Sequence, residues 1–140
     1  MTDEVSVRHL GDDRFAVDIR AHTVFVDQPV DAGGTDMAPT PTELFVAGLA
    51  SCVAFYARRY AARHRFSAAG LAVAVNYDLG GRPARVSRIA IVVTPPAALP
   101  AERRDAFLAV ASHCTVHNTL VQPPTIDVTL ATAAVATRGG

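Results

Sequence analysis

The chain has 140 residues, half of them hydrophobic, and 13 basic residues balance 13 acidic ones to give no formal net charge. That length suits one domain with a real core. The charge balance excludes the broad basic field that draws nucleic acid or an anionic membrane surface. An apolar fraction this high points to a buried subunit interface.

Taken in order, the N-terminal MTDEVSVRHL is polar and acidic and lacks the apolar core of a secretion signal. The apolar run at 44–56 is too short to span a bilayer. A cytoplasmic protein is therefore expected, in a reducing compartment where its two cysteines act as free or redox-active thiols rather than a structural staple. A first strand is expected around Val5–Leu10. Gly11-Asp12-Asp13 turns the chain, and the alternation of Phe15, Val17 and Ile19, then of Val24 and Val26, predicts further short antiparallel strands. The stretch DQPVDAGGTDMAPTP follows with no period, and a loop that long in a compact domain is usually functional or mobile. Within it Gly33-Gly34 allows a positive φ or a close approach of backbone or ligand.

The best-specified segment runs from Pro39 to Tyr60 and reads as one buried helix. Thr40 is the N-cap, because Pro41 forces it into extended geometry, and Pro41 occupies the first helical position. Glu43 completes a capping box with Thr40. From Leu44 to Tyr56 the helix is apolar or small on every side, which predicts that protein surrounds it. Arg58, Arg59, Arg63, His64 and Arg65 close it with the sign a helix C-terminus prefers.

Beyond the helix, Leu71, Val73, Val75 and Tyr77 alternate, Gly80-Gly81 and Pro83 turn the chain, and Val86–Thr94 returns as a strand apolar on both faces and so expected inside a sheet. A second helix is expected from about Pro100 to His113, with Phe107, Val110 and Ala111 facing inward and Cys114 joining them if it continues one residue. Val116–Val121 reads as a short helix stopped by Pro123-Pro124. Ile126, Val128 and Leu130 predict a last strand, and residues 131–140 a frayed tail. The whole is a single-domain α+β pattern.

Chemistry rests on few residues. A cysteine in mid-helix such as Cys52 is ordinarily a small core hydrophobe, too far from the helix N-terminus for the dipole to activate it. Cys114 stands in a more polar setting, between His113 and His117. Three constellations are open: a redox pair in which one cysteine is oxidised to a sulfenic acid and the other condenses with it; a zinc site from Cys52, His113, Cys114 and His117, which lacks a second close ligand pair; and a cysteine–histidine hydrolase, for which no oxyanion motif is present. No metal or bound cofactor is expected. Arg58, Arg59, Arg63 and Arg65 read as a solvated helix end, and Arg103 and Arg104 as the outer face of the second helix.

With both cysteines placed, the sequence resembles the OsmC/Ohr family of osmotically induced and organic-hydroperoxide-resistance proteins. The matching pieces are DQPVDAGGTDMAPTPTELFVAGLASC over 27–52 and HCTVHNTL over 113–120. The resemblance implies antiparallel sheets packed around a long buried central helix, an intertwined homodimer, and active sites at the subunit interface. Cys52 matches the peroxide-attacking cysteine and Cys114 the resolving one, with an external dithiol such as a lipoyl group as reductant. Leu49 and Phe55, apolar neighbours of Cys52, would favour a small organic hydroperoxide; His113, His117, Gly33 and Gly34 would support the site. Two departures stand out. The family's thiolate-stabilising arginine follows the loop proline, where this chain has Val30, and its glutamate partner falls at Thr42. Glu43 does not replace that glutamate, because nine residues of helix place it about 180° around from Cys52. Another cation, from Arg20, Arg82, Arg85 or a histidine, would have to activate Cys52. The alternative is a non-catalytic dimer that binds a small apolar or thiol-reactive ligand at its interface.

Overall fold

The computed structural model describes residues 3–132. The elements are β1 (Val5–Gly11), β2 (Arg14–Ile19), β3 (His22–Val26), α1 (Pro41–Arg63), β4 (Ala72–Gly80), β5 (Arg85–Thr94), α2 (Arg104–Ala111) and α3 (Thr115–Val121). The fold is α+β with antiparallel sheets. The chain divides into two compact units, one of residues 3–44 with 125–132 and one of Phe45–Pro124.

In the first unit β1, β2 and β3 form an antiparallel meander, with Val7 opposite Val17 and Val17 opposite Val24. The expected antiparallel strands form, and on β3 Val24 and Val26 are the sheltered positions, but on β2 the fully buried residue is Ala16, opposite in face to Phe15, Val17 and Ile19, and Ile19 is exposed. The following loop is organised by a residue the composition does not advertise. The Asp27 carboxylate is almost wholly buried. It accepts hydrogen bonds from the Thr35 hydroxyl at 2.6 Å, the Gln28 N–H at 2.7 Å and the Met37 N–H at 3.0 Å. Main-chain bonds from Asp27 N to Pro39 O and from Asp36 N to Gln28 O complete the loop. A long polar loop is thus held by one carboxylate that satisfies its orphaned N–H groups. Those donors hold the carboxyl well below its ordinary value, at about 2, with the Thr35 hydroxyl the largest influence. At Gly34 the backbone passes so close that a Cβ would fall 2.1 Å from the Gln28 carbonyl oxygen.

The second unit is built on α1. Its first turn, at the end of the first unit, carries the expected capping box: Thr40 N–H donates to Glu43 at 2.8 Å and Glu43 N–H to the Thr40 hydroxyl at 3.0 Å. The helix runs a turn further than Tyr60. It buries one stripe, Val46, Leu49, Val53, Ala57, Tyr60 and Ala61, at the three- and four-residue spacing of a helix face. Within one chain it is not surrounded: Phe45 is 43% and Phe55 52% exposed. Leu49, Val53, Ala57 and Tyr60 pack with Leu99, Phe107, Ala111 and Cys114, and Val73, Ile89, Ile91 and Val93 of the β4–β5 ribbon close over this core. Each large side chain so buried contributes about 1.5–3 kcal/mol.

Several expectations are corrected. β5 pairs with β4 alone among the described residues, and Val92 is 61% exposed, so it is not an interior strand of one chain's sheet. The second helix is shorter: a 3-10 turn at Ala101–Arg103 leads into α2, which ends at Ala111. Phe107 and Ala111 face inward, whereas Val110 is 36% exposed. Ile126, Val128 and Leu130 form no strand and are 78–93% exposed, because no neighbouring strand pairs with their main chain among the described residues. Most of the expected tail, 133–140, lies outside the described residues.

The Asp27 loop supports two predictions. Because the folded Asp27 carboxyl is depressed below 3.8, it contributes stability that is complete above that value and is lost as pH falls towards about 2. Asp27→Asn should therefore lower Tm at neutral pH and flatten the fall of Tm between those limits, as read by thermal circular dichroism. Gly34→Ala should cost roughly 1–3 kcal/mol in denaturant unfolding, since backbone rather than a flexible side chain meets the new methyl.

Candidate functional site

Cys52 lies on α1 between Leu49 and Val53, partly exposed, and packs against the buried cluster that contains Cys114. Both are free thiols. Cys114 is fully buried, yet it does not extend α2 as expected. It is the N-cap of α3, in extended geometry, and its sulfur accepts the His117 N–H at 3.4 Å. The break after Ala111 lets the chain turn so that the sulfur enters the core while its main chain starts a new helix. Thr115 is tied back to α1 by the Tyr56 hydroxyl at 2.7 Å.

These surroundings act on the Cys114 thiol in opposite directions. Burial pushes its pKa up, the N–H groups of His117 and Val116 pull it down, and the neighbouring Cys52 side chain raises it further; the net direction is up. Cys114 is a protonated, desolvated thiol beside a more accessible one.

The other residues singled out from the sequence fall into three groups. Leu49 and His117 line an apolar cavity of about 380 Å³ with Val53, Ile89, Ile91 and Leu108, and the His117 Nδ1 is buried there without a hydrogen-bond partner. His113 is exposed, and its Nδ1 donates to Ala109 O at 2.6 Å. Phe55 is turned outward, with the Arg59 guanidinium 5.6 Å from its ring centre. Gly33 and Gly34 belong to the loop of the first unit. Among the described residues no guanidinium or imidazole nitrogen hydrogen-bonds to either sulfur; the contact from His117 is through its main chain. Arg82 and Arg85 lie exposed around the β4–β5 turn, and Arg20 in the turn between β2 and β3. No group of three His, Cys, Asp or Glu side chains able to hold a metal ion is found among the described residues, so the zinc constellation does not assemble. The Tyr56–Thr115 bond was not foreseen; the only sequence signal for it is a tyrosine four residues after Cys52, on the same helix face.

A long helix with one buried stripe that carries one cysteine, packed on a second cysteine at a helix cap, defines a two-thiol α+β protein. The family model for OsmC-like proteins matches residues 33–129, and the chain belongs to that family. No curated protein sequence matches it. Among solved structures, one from Psychrobacter arcticus, provisionally described as an osmotic stress induced and detoxification response protein, is 28% identical with a TM-score of 0.76, over 85% of this chain and 88% of that one. An organic hydroperoxide resistance protein from Legionella pneumophila is 21% identical with a TM-score of 0.63, over 86% and 89% of the two chains. A Vibrio cholerae protein provisionally assigned to organic hydroperoxide resistance, with captopril bound in one of its active sites, is 18% identical with a TM-score of 0.65, over 86% and 85%. These last two share the fold. No helix among the described residues is long and apolar enough to cross a membrane.

Burial orders the reactivity of the two thiols. Limited alkylation of the native protein near neutral pH, followed by peptide mass spectrometry, should label Cys52 well before Cys114, and denaturant should remove the difference. Equal native rates would show that Cys114 is not shielded.

Proposed function

We propose that this chain is a thiol-dependent peroxidase that reduces small organic hydroperoxides through Cys52 and Cys114. The observation that carries the reading is the association of the two free thiols in one core cluster, one accessible and one buried. Cys52, as thiolate, attacks the terminal oxygen of ROOH; the O–O bond breaks, ROH leaves after taking up a proton, and Cys52 becomes a sulfenic acid. The Cys114 thiol then displaces water from that sulfenic acid to form a disulfide, and an external dithiol, a lipoyl group for example, returns both to thiols. The apolar cavity beside Leu49 suits the organic portion of such a substrate. The hydroperoxide-resistance proteins that share this fold support the same reading.

The exposed apolar residues of α1, Phe45 and Phe55, support a homodimer in which a second copy covers that face. We place the protein in the cytoplasm, where a reducing environment keeps the cysteines as thiols.

A second reading is favoured by one observation: among the described residues no cation hydrogen-bonds to Cys52, and Val30 and Thr42 stand where the family resemblance implies an arginine and a glutamate. On that reading the protein is a non-catalytic dimer that holds an apolar or thiol-reactive ligand.

One equivalent of an organic hydroperoxide distinguishes them. The peroxidase consumes two thiols and yields an intramolecular Cys52–Cys114 disulfide by mass spectrometry. Cys114→Ser should accumulate a sulfenic acid on Cys52, trapped by dimedone, and Cys52→Ser should lose turnover by at least about a hundredfold. Thiols that oxidise no faster than free cysteine would exclude the peroxidase and leave the ligand-binding reading.

A further inference from the structure

The last two turns of α1 face α2 across a cleft of about 350 Å³, within the size range of small-molecule sites. Its walls carry Tyr56, Arg59, Tyr60, Arg63, His64 and His113. On α1 these positions follow one another at helical spacing, so the basic side chains gather on one face instead of spreading around the helix end. Every charged or titratable group there is a base or a phenol, and the ion pairs among the described residues, Arg8–Asp18 and Arg88–Asp78, involve none of them.

Contacts within the protein fix part of this wall. Arg103, from the turn before α2, places Nη1 2.9 Å from His64 Nδ1 and 3.4 Å from the Tyr60 hydroxyl. A guanidinium only donates, so His64 Nδ1 is the acceptor and its Nε2 carries the proton. His113 holds its ring in place by donating from Nδ1 to Ala109 O. The cleft thus combines guanidinium and imidazole donors with aromatic walls, and no side-chain carboxylate lines it.

We propose that this cleft is a binding site for a small oxyanion-bearing molecule, a carboxylate or a phosphate ester, gripped by Arg59 and Arg63 with His64 and His113. Guanidinium groups suit both anions through paired N–H donors. The volume and the absence of net charge on the chain favour a small molecule over a polyanion. The occupant would lie next to the residue that precedes Cys114, but its binding does not depend on thiol chemistry.

The test titrates inorganic phosphate and benzoate separately into the full chain at low ionic strength, following the ring C–H resonances of His64 and His113. At least one probe should shift both residues saturably. Arg59→Gln/Arg63→Gln should weaken that binding by about tenfold or more, while Arg88→Gln, in an exposed pair on β5, should leave it within about twofold. Saturation by phosphate alone identifies a phosphate ester as the ligand type, by benzoate alone a carboxylate, and by both the shared oxyanion chemistry. Arg63→Gln alone supplies the comparison if the double variant fails to fold. Shifts that stay linear with both probes, or saturation that survives the arginine substitutions, would overturn the site. Peroxide turnover, measured separately, keeps its failure distinct from that of the peroxidase.

Discussion

The second unit depends on one packing contact, the apolar stripe of α1 against α2 and the start of α3. Leu49, Val53, Ala57 and Tyr60 leave water by meeting Leu99, Phe107, Ala111 and Cys114, with the β4–β5 ribbon closing over them. Close packing permits few alternative arrangements, because a void or a clash of even one methylene is felt. The contact therefore does two things together. It stabilises the unit, and it sets the height at which α2 breaks off, which delivers the Cys114 sulfur to Cys52.

That arrangement creates an asymmetry between chemically identical groups. A thiol at a helix N-cap is ordinarily favoured as thiolate by the N–H groups around it. Here burial outweighs those donors, so Cys114 is held protonated. Cys52, on the rim of the same cluster, is reachable from solvent. Two cysteines with different access are what a sequential thiol reaction needs, and the fold supplies that difference through burial alone.

The loop of the first unit obeys a comparable rule with polar groups. Fourteen residues without periodicity would leave many main-chain donors unsatisfied, and Asp27 gathers several of them onto one carboxylate. Its low pKa records how completely those donors stabilise the charge. The tight passage at Gly34 follows, since the segment returns close enough to Gln28 that a side chain would have no room.

Local signals were legible before any coordinates. The Thr40–Pro41–Glu43 cap, the existence of strands β1 to β4, the turn at Gly80-Gly81 and the short helix at Val116–Val121 all depend on neighbours within a few residues, so spacing and residue type settle them. Both cysteines, and their kinship with the OsmC-like family, could be picked out for the same reason. What failed depends on partners distant along the chain. An apolar strand such as β5, or the run Ile126–Leu130, carries no information about whether a neighbour exists to pair with it. Where α2 ends, that Cys114 caps α3, that Phe55 turns outward, and that Arg59, Arg63, His64 and His113 surround one cleft are decided by how α1 and α2 pack. The sequence by itself determined the elements and the residues able to do chemistry. Tertiary structure alone decided which of them meet and which are desolvated, because burial and proximity belong to the packed core and not to the chain's local order.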